Sequence, residues 1–248
     1  MKTIYLCIIF LTNLYIVDAQ DFQAKITYEA TLDNSGFYTR LIKDSLMPKN
    51  RKTLYLDDIK TTKPTTFYLF INGNESLYKA PLDPEARMNE GYGQNRTVNV
   101  AQYENVYYTN LETEEKIFES FWTRGILVKV DKIDWILTDE TKKIGDYLCY
   151  KATALIQTEQ LLGNNFIDSI EAWYTKEIPV SFGIKEFHGL PGLTLELITN
   201  YESGKLCYIV TDIQLKPEEE IEIEKPKGKR IMSFKQYIQH IKELNARR

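Results

Sequence analysis

Two histidines, two cysteines beyond the N-terminal segment and a large stock of carboxylates are the side chains from which acid–base, nucleophilic or metal chemistry would first be assembled in this 248-residue sequence. His188 and His240 are far apart in the chain, and no G-x-S-x-G elbow is present to seat a serine nucleophile for either of them. HExxH, paired CxxC and the phosphate-binding P-loop are absent, so zinc and nucleotide chemistry have no frame. Asp33-Asn34-Ser35-Gly36 lacks the trailing ligands of a calcium loop and reads as a turn. The 35 Asp and Glu residues leave a hydrolytic carboxylate pair open without singling one out. Both histidines therefore read as lone surface or turn residues, and no catalytic residue, metal ligand or cofactor is assigned.

The elements that would position any such chemistry begin with a targeting segment. Lys2 precedes an apolar run over residues 4–17, and Val17-Asp18-Ala19 supplies a cleavage pattern, so residues 1–19 are expected to be a signal peptide. No later stretch reaches membrane-spanning length, which gives an expectation of a soluble protein exported to the periplasm or medium. Disulfides persist in such compartments. A Cys149–Cys207 bridge would close a long loop and stabilise by roughly 4 kcal/mol on the chain-entropy model; two buried free thiols on separate strands are the other reading.

The composition is globular, with 43% hydrophobic and 27% charged residues, and a net charge of −4 argues against a nucleic-acid footprint for the whole chain. Period-two alternation dominates. Ala24, Ile26, Tyr28, Ala30 and Leu32 define one face of a first strand. Residues 65–71 (TTFYLFI) form a β-branched and aromatic run closed by Asn72-Gly73-Asn74, with 76–79 as the returning hairpin partner. Further strands are expected at 105–109, 126–130, 134–137, 147–156, 169–175, 193–199 and 206–215. Residues 80–102, with two Pro and two Gly and no sustained period, read as a long surface loop.

From Lys216 the character changes to an acidic step, then a basic one. Ser233 opens a helix, with Gln236 completing a capping box and Phe234, Tyr237, Ile238, Ile241 and Leu244 forming an apolar stripe. That helix either docks on the sheet or lies on an anionic membrane or partner surface. The domain reading is a β-rich unit over 20–215 followed by a charged linker and helix over 216–248.

The most informative stretch is Ala172-Trp173-Tyr174-Thr175 followed by Phe187-His188-Gly189-Leu190-Pro191-Gly192-Leu193-Thr194-Leu195-Glu196-Leu197. Pro191-Gly192 suits the centre of a type II turn, and Leu190 and Leu193 would pin that turn to a core. The passage resembles the GLPGLI family, also called the Porph_ging domain, which comprises secreted or periplasmic proteins found mainly in Bacteroidota. The motif stands here as Gly189, Leu190, Pro191, Gly192 and Leu193, with Thr194 in place of the final Ile. The resemblance extends to residues 26–28, to Trp135 and its neighbours, and to 143–152, and is strongest over 134–215. Phe182-Gly183-Ile184 departs from the family pattern, which commonly has Gly followed by Pro. The family has no established activity, so the resemblance implies location and fold and carries over no catalytic residue. Asp44-Ser45-Leu46 and Asp168-Ser169-Ile170 are similar to the O-glycosylation signal such bacteria use on exported proteins, which makes Ser45 and Ser169 candidate modification sites.

These readings converge on an all-β fold, a curved antiparallel sheet or half-barrel with a C-terminal amphipathic helix, for which the LolA-like half-barrel of lipoprotein carriers is the analogue. The functional expectation is a noncatalytic envelope protein binding an apolar ligand or a protein segment. The alternatives are an envelope assembly protein acting through the 80–102 loop and the basic tail, and a carboxylate-dependent hydrolase.

Overall fold

The computed structural model describes residues 22–81, 95–155, 167–201 and 204–246. The expected signal peptide, and 82–94 of the expected loop, lie outside them. In β1 (Gln23–Asp33) every second side chain from Ala24 to Ala30 is fully buried, as the alternation requires. β1 pairs antiparallel on one side with β2 (Thr65–Asn72) and on the other with β11 (Gly204–Leu215), which makes it the centre of the sheet. One wing continues from β2 through β3 (Glu75–Lys79), β4 (Val106–Asn110), β5 (Glu115–Glu119) and β6 (Ile126–Lys129). The other runs from β11 through β10 (Leu193–Tyr201), β9 (Ile167–Thr175) and β8 (Tyr147–Ala154) to β7 (Ile136–Ile144). β12 (Arg230–Ser233) adds to β6 in parallel, so the protein has one open twelve-stranded sheet with β12 and β7 at its edges. The all-β architecture read from the sequence is the one observed.

The inner face of the sheet carries the main core. Ile26, Tyr28, Phe67, Leu69, Tyr78, Tyr107, Leu197 and Tyr208 point into it and are buried. Three pieces of the chain cover them: α3 (Arg96–Val100) with Ala101 and Tyr103, the connection over residues 176–192, and α4 (Phe234–Ala246). α3 starts at Asn95, whose side chain accepts from Thr97 N at 3.1 Å, so the end of the expected surface loop is a short helix that buries Thr97 and Val98. The capping box of α4 forms as read: Gln236 N donates to Ser233 Oγ at 3.3 Å and Ser233 N donates to Gln236 Oε1 at 3.0 Å. Tyr237 and Ile238 are buried, with the Tyr237 ring edge-on to Phe118 at 5.8 Å. The helix is docked.

The outer face of the β2–β6 wing is covered as well. Residues 216–229 cross it, and Ile223 packs on a small cluster of Leu77, Tyr108, Ile117 and Leu127. Ile221 N donates to Gln23 Oε1 at 2.9 Å, and Asn72 Nδ2 donates to Ile221 O at 2.8 Å. Between β1 and β2 the chain inserts two helices that the sequence reading did not anticipate, α1 (Ser35–Lys43) and α2 (Lys49–Lys60). Among the described residues, no helix is long and apolar enough to cross a membrane.

Candidate functional site

The stretch containing Gly189, Leu190, Pro191, Gly192 and Leu193 connects β9 to β10 and dives under the sheet. Ile178, Phe182, Ile184, Phe187 and Leu190 are buried there, which explains why a connection of this length is ordered. The expected type II turn is not what forms. Gly192 N donates to Leu190 O at 2.9 Å, a three-residue turn centred on Pro191, whose fixed φ suits it. Leu193 N, which a type II turn would direct at Leu190 O, donates instead to Ile178 O at 3.0 Å. Gly192 is still obligatory, because a Cβ there would lie 2.0 Å from Thr175 O. Gly183 is equally constrained: its Cβ would meet Phe187 O at 1.8 Å, across the Ile184–Phe187 bridge.

His188 locks this connection to β4. Gly183 N donates to His188 Nδ1 at 3.1 Å, which leaves Nε2 protonated and donating to Thr109 Oγ1 at 2.9 Å. Trp135 Nε1 donates to His188 O at 2.9 Å. Burial pushes the imidazole pKa down to about 3, so the ring is neutral. Its role is structural.

Beside it lies the arrangement of most chemical interest. Lys185 has a left-handed backbone (φ 57°), as does Gln102 at φ 55°, a conformation that non-glycine residues hold only when their surroundings impose it. The two side chains meet. Lys185 Nζ donates to Gln102 Oε1 at 3.2 Å, and the same oxygen accepts from Tyr107 Oη at 3.0 Å. Lys185 Nζ stands 5.6 Å from the Tyr107 ring centroid and 3.9 Å from Glu186 Oε2. Burial lowers the pKa of this amine, and Glu186 opposes that shift. Around the pair stands an aromatic wall: Phe67 stacks on Tyr78 at 5.3 Å and meets Tyr208 at 5.8 Å, and Tyr78 meets Tyr107 at 6.0 Å. The hydroxyls of Tyr78, Tyr107 and Tyr208 titrate well above their ordinary range, through burial first and then through the Glu186 charge and neighbouring tyrosines, Tyr201 among them. Tyr78 Oη, Tyr208 Oη and Glu186 Oε2 are buried without a hydrogen-bond partner among the described residues.

The other residues singled out by sequence lie elsewhere. Cys149 and Cys207 are both free, and the expected bridge is not formed. β8 and β11 are separated by β9 and β10, so the two strands stand three inter-strand steps of about 4.8 Å apart, beyond the roughly 7 Å Cα limit for a disulfide. Ser45 is exposed between α1 and α2, while Ser169 is half-buried in β9 and accepts from Asn200 Nδ2 at 3.1 Å. Carboxylates of the β7–β10 wing gather around Trp173, but lysines engage them. Lys151 bridges Glu140 at 3.2 Å and Glu171 at 3.1 Å, and Lys142 bridges Glu196 at 2.5 Å. No cluster of metal-ligating side chains occurs among the described residues.

The fold and site together define a class: a single open β-sheet whose inner face is filled by its own β9–β10 connection and a docked C-terminal helix. A family model described as "Protein of unknown function (Porph_ging)" matches residues 164–196, the span that includes Lys185, Glu186, His188 and the Gly189–Leu193 motif, and the GLPGLI label is consistent with it. No curated protein matches the chain. Among solved structures, PNGF-II in two space groups, P21 and C2, is similar at TM-scores of 0.47 and 0.48, each with 16% identity. The alignments cover 86% and 88% of this chain but 31% and 33% of those chains, so the protein spans about a third of their length. A domain named for outer membrane lipoprotein sorting from Vibrio parahaemolyticus aligns at a TM-score of 0.29 with 8% identity, covering 82% of this chain and 90% of that one.

Proposed function

We propose that the chain is an exported, noncatalytic binding module, and that its ligand is a mainly apolar molecule, or the side chain of a protein segment, bearing a hydrogen-bonding head. The observation that carries this reading is the set of buried polar atoms without a hydrogen-bond partner among the described residues, Tyr78 Oη, Tyr208 Oη and Glu186 Oε2, set in an aromatic wall. An unpaired buried hydroxyl costs about 1–3 kcal/mol, and Glu186 Oε2 has only the Lys185 amine, at 3.9 Å, to offset its burial. Native interiors keep few such groups, and each asks for a partner. A ligand head that donates to Glu186 and exchanges hydrogen bonds with the two tyrosines would supply it; Phe67 and the rings are covered by the β9–β10 connection, so taking up the apolar body requires that connection to shift. The two left-handed residues meeting at Lys185 and Gln102 are consistent with a binding site, where strained backbone concentrates. The assembly reading through the basic tail lacks comparable support, because Tyr237 and Ile238 of its apolar stripe are packed inside.

The test is mass spectrometry of solvent extracts from protein purified out of its native source, alongside Tyr208→Phe and Glu186→Gln. Support is a co-purifying small molecule at near-stoichiometric amount that both variants lose while keeping the native circular dichroism spectrum. The reading fails if no molecule is extracted and Tyr208→Phe is simply more stable, as removing an idle buried hydroxyl would make it.

A further inference from the structure

We infer that the α1–α2 hairpin is a docking surface for an anionic phospholipid bilayer. Residues 34–64 hold seven Lys and Arg against three Asp, a net charge of +4, which leaves −8 on the rest of a chain whose total is −4. The hairpin is held rigidly at its base: Asn34 Nδ2 donates to Thr62 Oγ1 at 2.9 Å, and Arg96 Nε donates to Asn34 Oδ1 at 2.8 Å. At its tip Asp44 Oδ1 accepts from Leu46 N at 2.9 Å and from Met47 N at 3.1 Å. The one acid of the tip thus serves the turn, and the turn holds Leu46 outward at 93% exposure. Exposed Lys43, Lys49 and Arg51 flank that leucine in the chain. Tyr38 and Ile42, one helical turn apart on α1 and so on one side of it, are each half exposed, and Leu54 of α2 is exposed too.

The exposed Leu46, with Tyr38, Ile42 and Leu54 also exposed on the same basic hairpin, matches what a bilayer surface takes. Leu46 and Ile42 can enter the boundary between headgroups and acyl chains, Tyr38 suits the interface itself, and the basic side chains meet anionic headgroups. Residues 225–248 are also basic, with eight Lys and Arg against one Glu, so the charge-reversed hairpin variant below is what separates docking through the hairpin from attraction through the tail. This surface is separate from the tyrosine-lined interior and does not depend on what binds there.

Cosedimentation of the full chain with phosphatidylcholine vesicles, with and without about 30% phosphatidylglycerol, tests the inference. Binding is expected only with the anionic vesicles, weakening as salt rises. The triple variant Lys43→Glu, Lys49→Glu, Arg51→Glu should lose at least about 100-fold in partition coefficient, given roughly fivefold per charge near the surface. Leu46→Ser should lose about tenfold. All four positions are exposed, so the variants should keep the parent melting temperature. Equal binding to neutral vesicles, no binding to anionic ones, or full binding by the charge-reversed variant overturns the inference.

Discussion

His188 gives the molecule its sharpest titration. Buried and hydrogen-bonded at both ring nitrogens, it stays neutral in the folded state down to about pH 3, whereas in the unfolded chain it takes up a proton below its ordinary value of 6.5. Below pH 6.5 the unfolded state therefore binds the extra proton, and stability falls as pH drops towards 3, by up to about 1.4 kcal/mol per pH unit. His188→Gln should lower stability at neutral pH, because Thr109 and Gly183 lose good partners, yet flatten the decline. Urea midpoints between neutrality and mild acid measure both effects, and parallel curves for parent and variant would show that the slope originates elsewhere. The cysteines behave differently. Burial pushes both thiols up to about 11, so only about one in 10⁴ is thiolate at neutral pH. In protein prepared without residues 1–19, and so without Cys7, thiol titration should find two slow groups in the folded state and two fast ones in denaturant, and reductant should leave the melting temperature unchanged. Gly183→Ala adds a Cβ that meets Phe187 O. It should cost about 1–3 kcal/mol, the range of an overpacked core.

The C-terminal helix shows what local sequence can settle at the scale of one element. Its capping box forms as read, and its apolar stripe packs on the core from Phe234 to Ile241 while Leu244 is left exposed. Ser233→Ala should cost about 1 kcal/mol, readable as a shift in the urea midpoint. Most strands were equally plain, because alternation records which face is buried. β5 was not, since its five residues EKIFE offer little length for a period, and the strand expected at 134–137 runs on through charged residues to Ile144, closing the sheet as an edge strand. Charges on an edge strand discourage further pairing. The helices α1 and α2 were missed because few of their residues are buried: Leu41 alone in α1 and none in α2. At the site, the Gly189–Leu193 motif stood out in sequence, whereas His188, read there as a lone surface or turn residue, is buried and bonded at both ring nitrogens. The meeting of Lys185 with Gln102 did not, because it depends on two left-handed backbones brought together across the sheet. The Cys149–Cys207 pairing failed for a related reason. Strand order is a property of the whole sheet, and no spacing along the chain reports that two strands intervene.

For the molecule as a whole, the segment after β11 ties the two faces of one wing together. Residues 216–229 cover Leu77, Tyr108, Ile117 and Leu127 from outside, β12 pairs with the free edge of β6, and α4 covers Phe118 from inside. The β7–β10 wing receives none of this, and its outer face relies on the Lys142, Lys151 and Trp173 network instead. Two truncations should therefore differ in kind. Removing α4 alone uncovers part of the inner core around Phe118 and should lower the melting temperature while the sheet keeps both edges. Ending the chain at Leu215 uncovers large apolar side chains on both faces of β2–β6, each worth about 1.5–3 kcal/mol when fully buried, and leaves β6 an unprotected edge open to pairing with other chains. The shorter protein should be recovered mainly as aggregate, with hydrogen exchange accelerated in β3–β6 and least changed in β8–β10. Uniform acceleration across both wings would instead mean that the sheet unfolds as one unit, and that the C-terminal segment supports all of it.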